Sequence, residues 1–405
     1  MIHLSSETKG SYALFSYQIK TDKIIRLTMR LLKPLYVFPL VLSGLILGIV
    51  GGFVRLGFLD WNISGTAAQH GVLMVGGFLG TLITLERAMV MKNRLWLFVA
   101  FLSGVSIPVL LLPGWSTFGQ FLLLGASIGL VIIMYLQSIR HPQPYQYVMS
   151  IGAISWFLGN FTMIYTGFIP AAVPWWMGFL LFTIVGERLE LSKFLPTPAF
   201  AKKILYALLG LNFIGMWIPF HGIGNWLMGG TVIFIAFWLL HFDMAKVASK
   251  KERQFKYIGI GLRVGYLWLV VNGLVLCFME MHPLFYDLYL HTFFLGFTFS
   301  MIWAHAPIIF PMIMNIKEKP YHPILWPVWM IFQLTLIGRI GSSLLKIPDW
   351  RMWFGVANGW AILSMFALMA LIVLTKIAYS KFPQRINTSI RVQIKNTENK
   401  VTEQS

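Results

Sequence analysis

The sequence predicts an all-α polytopic membrane protein with twelve transmembrane helices, arranged as three parallel repeats of four helices. The composition is the first reason, because apolar residues make up 57% of the chain and charged residues 11%, against roughly 45–50% and about 25% in soluble domains. The second is a series of apolar runs near the length of about 20 residues that a helix needs to cross a bilayer. These runs, numbered helices 1 to 12, begin near residues 35, 67, 94, 115, 144, 170, 203, 223, 257, 287, 322 and 350.

An internal repeat in helices 2, 6 and 10 is the third reason. The pattern GFLxxxIxxER occupies residues 77–87 and recurs at residues 178–188, whereas helix 10 has Gly296-Phe297, a later isoleucine and His305 in place of the glutamate. Copies separated by an even number of helices cross in the same direction, which predicts a parallel repeat about an axis along the membrane normal. The predicted repeats cover about residues 35–141, 142–256 and 257–376.

The basic residues predict the orientation of the chain. With the N-terminus inside, 27 of the 32 Lys and Arg residues lie on the cytoplasmic side, whereas Arg55, Lys346 and Arg351 lie outside and Arg263 and Arg339 lie within helices. By the positive-inside rule, both termini are cytoplasmic and the helix count is even. The formal charge of +18 therefore reflects insertion and contact with anionic lipid, and it does not indicate nucleic-acid binding.

Three regions follow from these patterns. Residues 1–34 mix basic and aliphatic side chains without a signal-peptide cleavage pattern and are predicted to lie along the cytoplasmic membrane face. Residues 35–376 form the membrane domain, and residues 377–405 form a cytoplasmic polar tail, predicted to be disordered after Phe382. A single cysteine, Cys277, excludes an internal disulfide, a Cys-ligated iron–sulfur cluster and a CxxCH haem site.

Four short motifs, set in three four-helix arcs, resemble the NnrS family, which is itself similar to subunit I of haem-copper oxidases and nitric oxide reductases. They are Ala68-Gln69-His70, the GERLEL end of helix 6, Arg263 to Trp268 on helix 9 and Leu290-His291 on helix 10. The resemblance implies a protein of the bacterial inner membrane that binds haem and copper and responds to nitric oxide or nitrosative stress.

His70 and His291 are the predicted haem ligands. His70 lies seven residues before Gly77, and His291 lies five residues before Gly296, the equivalent glycine. The two histidines therefore differ by two residues, or about 3 Å, in depth along equivalent helices of two repeats. The resemblance implies that helices 2 and 10 supply the two axial histidines of a haem near the outer face, and a late helix-11 arginine, Arg339, suits a haem propionate. In the alternative interpretation, each histidine binds a backbone carbonyl and Arg339 extends to the interface.

Two departures from the related families limit the resemblance. Helices 6 and 7 contain no histidine, although haem-copper enzymes hold their active-site copper with histidines there. NnrS proteins carry His-x-His-Glu at the start of helix 2, where this chain has Ala68-Gln69-His70-Gly71. The usual binuclear centre cannot be assembled from these residues.

A second metal site is predicted at the outer end of helix 9. Cys277, Met279, Met281 and His282 lie within six residues, and soft sulfur ligands suit Cu(I). Ordinary apolar packing is the alternative, because the chain has 21 methionines and methionine often fills gaps in apolar cores.

Ionisable residues also occur near the inner ends of helices 2, 6 and 10. A second ligand site or a proton route is one interpretation, and a network of paired charges at helix ends is the other. The residues concerned are Glu86, Arg87, Glu187, Arg188 and His305.

Three function classes follow. The first is a membrane haem protein resembling NnrS, acting in the nitric oxide response or in electron transfer. The second is an oxidoreductase, a divergent nitric oxide reductase with a quinol or a cytochrome as electron donor, which the missing copper histidines disfavour. The third is a permease for a small solute or metal ion, whose path would be lined by His70, His291, Glu86, Glu187 and His305.

Overall fold

The computed structural model describes residues 34–60, 65–314 and 318–402. It is 86% helical, and the described residues contain no strand. The prediction of an all-α fold is therefore confirmed. The chain divides into two compact units, Met1–Thr231 and Val232–Ser405.

The first unit contains helices 1 to 7 and the start of helix 8. Gly167, with φ of 63°, ends helix 5, and a left-handed residue at this position favours glycine. Helices 5 and 6 each have a proline in the first turn, where no backbone donor is lost. The bounds are Pro34–Arg55 (helix 1), Thr66–Val72, Leu73–Gly80 and Thr81–Met89 (together helix 2), Leu97–Leu111 (helix 3), Ser116–Arg140 (helix 4), Pro144–Thr166 (helix 5), Ile169–Leu191 (helix 6), Ala199–Gly215 (helix 7) and Asn225–Phe242 (helix 8).

The second unit contains the end of helix 8 and helices 9 to 12. Their bounds are Arg253–Phe278 (helix 9), Phe285–His291, Thr292–Phe299 and Ser300–Met314 (together helix 10), Leu325–Leu344 (helix 11) and Pro348–Thr402 (helix 12). The predicted interfacial segment falls on residues outside the described ranges, except for Pro34. The prediction of disorder after Phe382 is wrong for the described part of the tail, because helix 12 continues to Thr402. In that tail isoleucines recur every four residues at positions 386, 390 and 394, which is the spacing of a helix face.

Ten helices in the described residues are long and apolar enough to cross a membrane. They indicate a multi-pass helical membrane protein. Helices 7 and 11 are not among the ten: helix 7 has 17 residues, and helix 11 contains Gln333, Arg339 and two serines, which lower its mean hydropathy. Twelve spans in three repeats therefore stay a prediction.

Helices 2 and 10 share an unusual backbone. Each changes from α-helix to an eight-residue π-helical segment, Leu73–Gly80 in helix 2 and Thr292–Phe299 in helix 10. Gly77 and Gly296, the glycines of the repeated motif, both occupy the fifth position of their segment. The third copy differs, because helix 6 is α-helical throughout. π-helical turns are rare and occur frequently at functional sites.

A row of glycines brings helix 1 close to helix 2. A Cβ at Gly44 would lie 2.9 Å from the backbone carbon of Gly77, and one at Gly51 would lie 2.8 Å from the carbonyl carbon of Thr66. Small residues of this kind allow the backbones of membrane helices to approach. The row consists of Gly44, Gly48, Gly51 and Gly52.

A repeated asparagine–threonine clamp joins neighbouring helices within each unit. The Asn272 side-chain amide donates to the Tyr289 carbonyl at 2.9 Å and lies 3.1 Å from Thr292 Oγ1. Thr292 Oγ1 in turn donates to the Leu288 carbonyl one turn earlier, at 2.8 Å. Two further clamps have the same geometry, with the carbonyl and the threonine three residues apart. They are Asn212 with Met228 and Thr231, and Asn358 with Phe332 and Thr335.

We expect the substitution Asn272→Ala to lower the free energy of unfolding by about 1 kcal/mol, since polar contacts between membrane helices contribute on this scale. Asn358→Ala should have a similar effect, because Asn358 makes an equivalent pair of contacts. Unfolding by dodecyl sulfate in mixed micelles measures both. Gln143→Ala is the control, because Gln143 is exposed before helix 5 and its side chain makes no capping hydrogen bond there. An equal loss in the control would contradict the clamp.

Candidate functional site

His70 lies in the first part of helix 2, three residues before the π-helical segment. Its Nδ1 is 2.6 Å from the Gly48 carbonyl oxygen of helix 1. The close approach depends on Gly52, because a Cβ at that position would lie 3.1 Å from His70 Cε1. A carbonyl oxygen only accepts, so His70 Nδ1 is the donor, and in the neutral ring Nε2 carries the lone pair.

His291 is the last residue before the π-helical segment of helix 10. Its Nδ1 is 2.7 Å from the Asp287 carbonyl oxygen and 3.1 Å from Asp287 Oδ1. On the other side of the ring, Arg339 Nη2 lies 3.0 Å from Nε2. Because arginine only donates, Nε2 is an acceptor. Arg339 Nη2 also lies 3.4 Å from Nδ1, but its contact with Nε2 is the shorter one. Together with the two Asp287 acceptors at Nδ1, it favours the tautomer in which Nδ1 carries the proton and Nε2 carries the lone pair.

Asp287 organises the polar cluster around His291. Its Oδ1 is 3.3 Å from Arg339 Nη2 and 3.9 Å from Arg351 Nη1, and its Oδ2 accepts from the Ser343 hydroxyl at 3.2 Å. Two arginines and one aspartate leave this cluster with an excess of positive charge. These five residues come from helices 10, 11 and 12, and we refer to them as the His291 cluster.

Arg339 has unused hydrogen-bonding capacity. Its side chain is 9% exposed, and its Nε is buried without a hydrogen-bond partner among the described residues. Leaving a buried donor unsatisfied costs about 1–3 kcal/mol. Nε and Nη2 form the edge of the guanidinium that binds a carboxylate through two parallel bonds. The His291 cluster therefore has the charge and the free donor that a bound carboxylate group requires.

The predicted inner-end residues of helices 2 and 6 form a separate cluster. Arg87 Nη2 makes a close ion pair with Glu187 Oε1 and lies 3.6 Å from Glu86 Oε1. The Gln137 amide donates to the Arg87 carbonyl at 3.1 Å, which joins helix 4 to the cluster. Arg188, the next residue after Glu187, is 4% exposed. We refer to Glu86, Arg87 and Glu187 as the Arg87 cluster.

His305 belongs to the second unit, where its Nδ1 lies 3.0 Å from the Met301 carbonyl oxygen one turn earlier. This contact satisfies one ring nitrogen within helix 10. Convergence of His305 with the Arg87 cluster stays a prediction from the repeat.

The residues of the predicted copper site have different environments. Cys277 is 7% exposed, whereas Met281 is 95% exposed. Met279 follows the last residue of helix 9, Phe278. Both ring nitrogens of His282 have backbone contacts, with Leu284 N at 3.1 Å and the Leu344 carbonyl at 3.3 Å. Within the described residues there is no group of three or more His, Cys, Asp or Glu side chains that could hold a metal ion. The copper site stays a prediction.

A family model described as "Domain of unknown function (DUF8744)" matches residues 31–374. The chain belongs to this family. The match extends from just before helix 1 into helix 12 and includes both the His291 cluster and the Arg87 cluster. Comparisons with curated proteins and with solved structures found no match.

The sequence alone did not identify three members of the His291 cluster of this DUF8744 protein, namely Asp287, Ser343 and Arg351. Asp287 precedes His291 by one helical turn, and this spacing predicts a contact on one helix face. Arg351 was predicted only as a charge in an outer segment, and Ser343 was not predicted at all. Neither has a local signal, because their contacts with Asp287 join residues 64 and 56 positions apart.

Proposed function

We propose that this DUF8744 protein is an integral-membrane haem protein in which His70 and His291 are axial ligands. The observation that supports the proposal most is the tautomer of His291, because contacts on both sides of the ring leave the Nε2 lone pair as the acceptor. A histidine that binds a metal almost always donates its other ring N–H to a carbonyl or a carboxylate. His70 meets the same condition through the Gly48 carbonyl.

The residues around His291 fit the rest of a haem. A haem carries propionate groups, and Arg339 offers an unpartnered Nε beside Nη2. Arg339 would hold a propionate and would no longer occupy His291 Nε2, Arg351 would add positive charge, and Asp287 would continue to accept from His291 Nδ1. A bound haem supplies reversible one-electron transfer, and the chain binds it, orients it and adjusts its potential.

We also propose the finer topology. The proposal is twelve spans in three parallel four-helix repeats, with both termini in the cytoplasm and the lipid bilayer of the bacterial inner membrane as the environment. The shared π-helical segments and the matching positions of Gly77 and Gly296 support the equivalence of helices 2 and 10. The distribution of Lys and Arg supports the orientation.

The physiological role rests on the resemblance to NnrS proteins, from which we propose a part in the nitric oxide or nitrosative-stress response or in electron transfer. The pairing of His70 and His291 on one iron rests on the repeat register of the sequence. His70 belongs to the first unit and His291 to the second, so each histidine is tested by its own variant.

The test is the absorption spectrum of the purified protein, oxidised and reduced, together with metal analysis. We expect the wild-type protein to show the spectrum of a six-coordinate low-spin haem, because two neutral imidazoles give a strong ligand field. His70→Ala and His291→Ala should each lose that spectrum, since each removes one axial ligand. His141→Ala is the control, because His141 is exposed at the end of helix 4.

Two outcomes would contradict the proposal. A colourless wild-type preparation without iron would leave the permease class as the better interpretation. An unchanged low-spin spectrum in both histidine variants, purified at normal yield, would show that other residues bind the haem.

A further inference from the structure

The His291 cluster carries a positive charge that no residue of the cluster balances. Arg339 Nη2 and Arg351 Nη1 lie 3.3 and 3.9 Å from the same oxygen, Asp287 Oδ1. His291 supplies no negative charge, because it is a neutral ring whose Nε2 accepts from Arg339. Among the described residues, no other carboxylate lies within ion-pair distance of either arginine. Two guanidinium groups therefore share one carboxylate.

Arg339 has donors that no neighbouring group uses. All three of its side-chain contacts are made through Nη2. Nε is buried without a partner among the described residues, whereas Nη1 makes no hydrogen bond in that part of the chain and is not a buried atom. The 9% of the Arg339 side chain that is exposed therefore presents a charged donor without a protein acceptor.

Arg351 lies on the more accessible side of the cluster. Its side chain is 24% exposed, and its distance of 3.9 Å from Asp287 is too long for a hydrogen bond. The two arginine nitrogens that face Asp287 Oδ1 are no farther apart than the sum of their distances from it. Ser343 is in the last turn of helix 11 and Arg351 is in the first turn of helix 12. The cluster therefore lies at the end of the helices of the second unit, where a solute in water can approach it.

We propose that Arg339 and Arg351 form a binding site for a small monocarboxylate anion, of the size of formate or acetate. A single negative charge matches the excess charge of the cluster, and a planar carboxylate matches the guanidinium donors. The anion is small, because little of the Arg339 side chain is accessible. Sulfate is disfavoured, because its second negative charge would be buried without a cation.

This site goes beyond the proposed haem function and does not depend on it. A haem propionate and a free monocarboxylate present the same chemical group to Arg339. They differ in what the chain must do, since haem ligation needs His291 Nε2 to be released, whereas the free anion leaves Arg339 in its contacts with Asp287 and His291. Acetate is therefore the probe, and the absorption spectrum of the same preparation reports haem independently.

The experiment measures the binding of radiolabelled acetate to the purified full-length protein at fixed ionic strength. We expect saturable binding, with competition by formate and none by sulfate. Arg339→Gln should weaken acetate binding about 10–100-fold, the effect expected when a charged hydrogen-bond donor is lost. Arg351→Gln should weaken it less, because Arg351 is the more exposed of the two. Lys346→Gln is the matched control, because it removes an exposed cation between helices 11 and 12.

Two results would overturn the inference. The first is the absence of saturable acetate binding to the wild-type protein. The second is an equal effect of Arg351→Gln and Lys346→Gln, which would assign the binding to surface charge alone, and this comparison decides the question even if Arg339→Gln does not fold. Haem without acetate binding would leave the proposed function intact. Acetate binding by a protein without haem would overturn the proposed function and leave this inference intact.

Discussion

Replacing Arg87 by methionine is expected to lower the free energy of unfolding by about 3 kcal/mol, at the low end of the range for breaking a buried ion pair. Arg87 is the cation between Glu187 and Glu86, and its side chain is 9% exposed. Without it, two carboxylates remain beside each other in an apolar bundle. The lower end of the range applies because the Glu187 side chain is 27% exposed, so that water stabilises part of its charge.

Unfolding by dodecyl sulfate in mixed micelles measures this loss. The control is Arg94→Met, because Arg94 is exposed in the same unit. The double variant Arg87→Met/Glu187→Met should lose less free energy of unfolding than the two single variants lose together, since neighbouring groups couple. It has one buried charge fewer than either single variant. Equal destabilisation by Arg87→Met and Arg94→Met would contradict the role of the ion pair.

The substitution Gly51→Ala is expected to lower the free energy of unfolding by about 1–3 kcal/mol, the usual range for overpacking, and to reduce retention of the proposed haem. A Cβ at Gly51 would lie 2.8 Å from the Thr66 carbonyl carbon and closer still to its oxygen. Thr66 belongs to the backbone that leads to His70, so it cannot move aside as a flexible side chain can. Helix 1 and helix 2 must separate, which weakens the contact between His70 and Gly48.

Stability and the content of the proposed haem per protein are measured on the same preparation. Gly210→Ala is the matched control, because Gly210 lies in helix 7 of the same unit and has no atom within 4 Å of a built Cβ. Alanine in an exposed helix interior should stabilise by about 0.5–1 kcal/mol. Similar destabilisation by both variants would show that loss of glycine itself, rather than the contact with Thr66, is responsible.

The sequence was sufficient to select the conspicuous residues of the site. An ionisable side chain in an apolar span requires a partner, so His291 and Arg339 stood out without structural information. Their contact, and the role of Asp287, could not be read from the chain in the same way. Arg339 lies 48 positions from His291, and the pair forms because helices 10 and 11 pack side by side.

The Arg87 cluster shows the same division between sequence and structure. The repeated Glu-Arg pattern predicted ionisable residues at the inner ends of helices 2 and 6. The repeat gave each glutamate an arginine as its sequence neighbour and did not specify which pairs form between helices. In the structure Arg87 reaches across to Glu187, a residue 100 positions away, because helix packing places those two side chains within reach.

The sequence by itself determined that this protein is a helical membrane protein and approximately where its helices begin, because apolar length, basic flanks and prolines act locally. It did not determine the backbone of the repeated motif. The same Gly-Phe pattern is π-helical in helices 2 and 10 and α-helical in helix 6. Identical local residues with different backbones mean that the local pattern does not select between the two forms. The tertiary structure decided which helices carry the π-helical segments beside His70 and His291, since the packing around each copy differs.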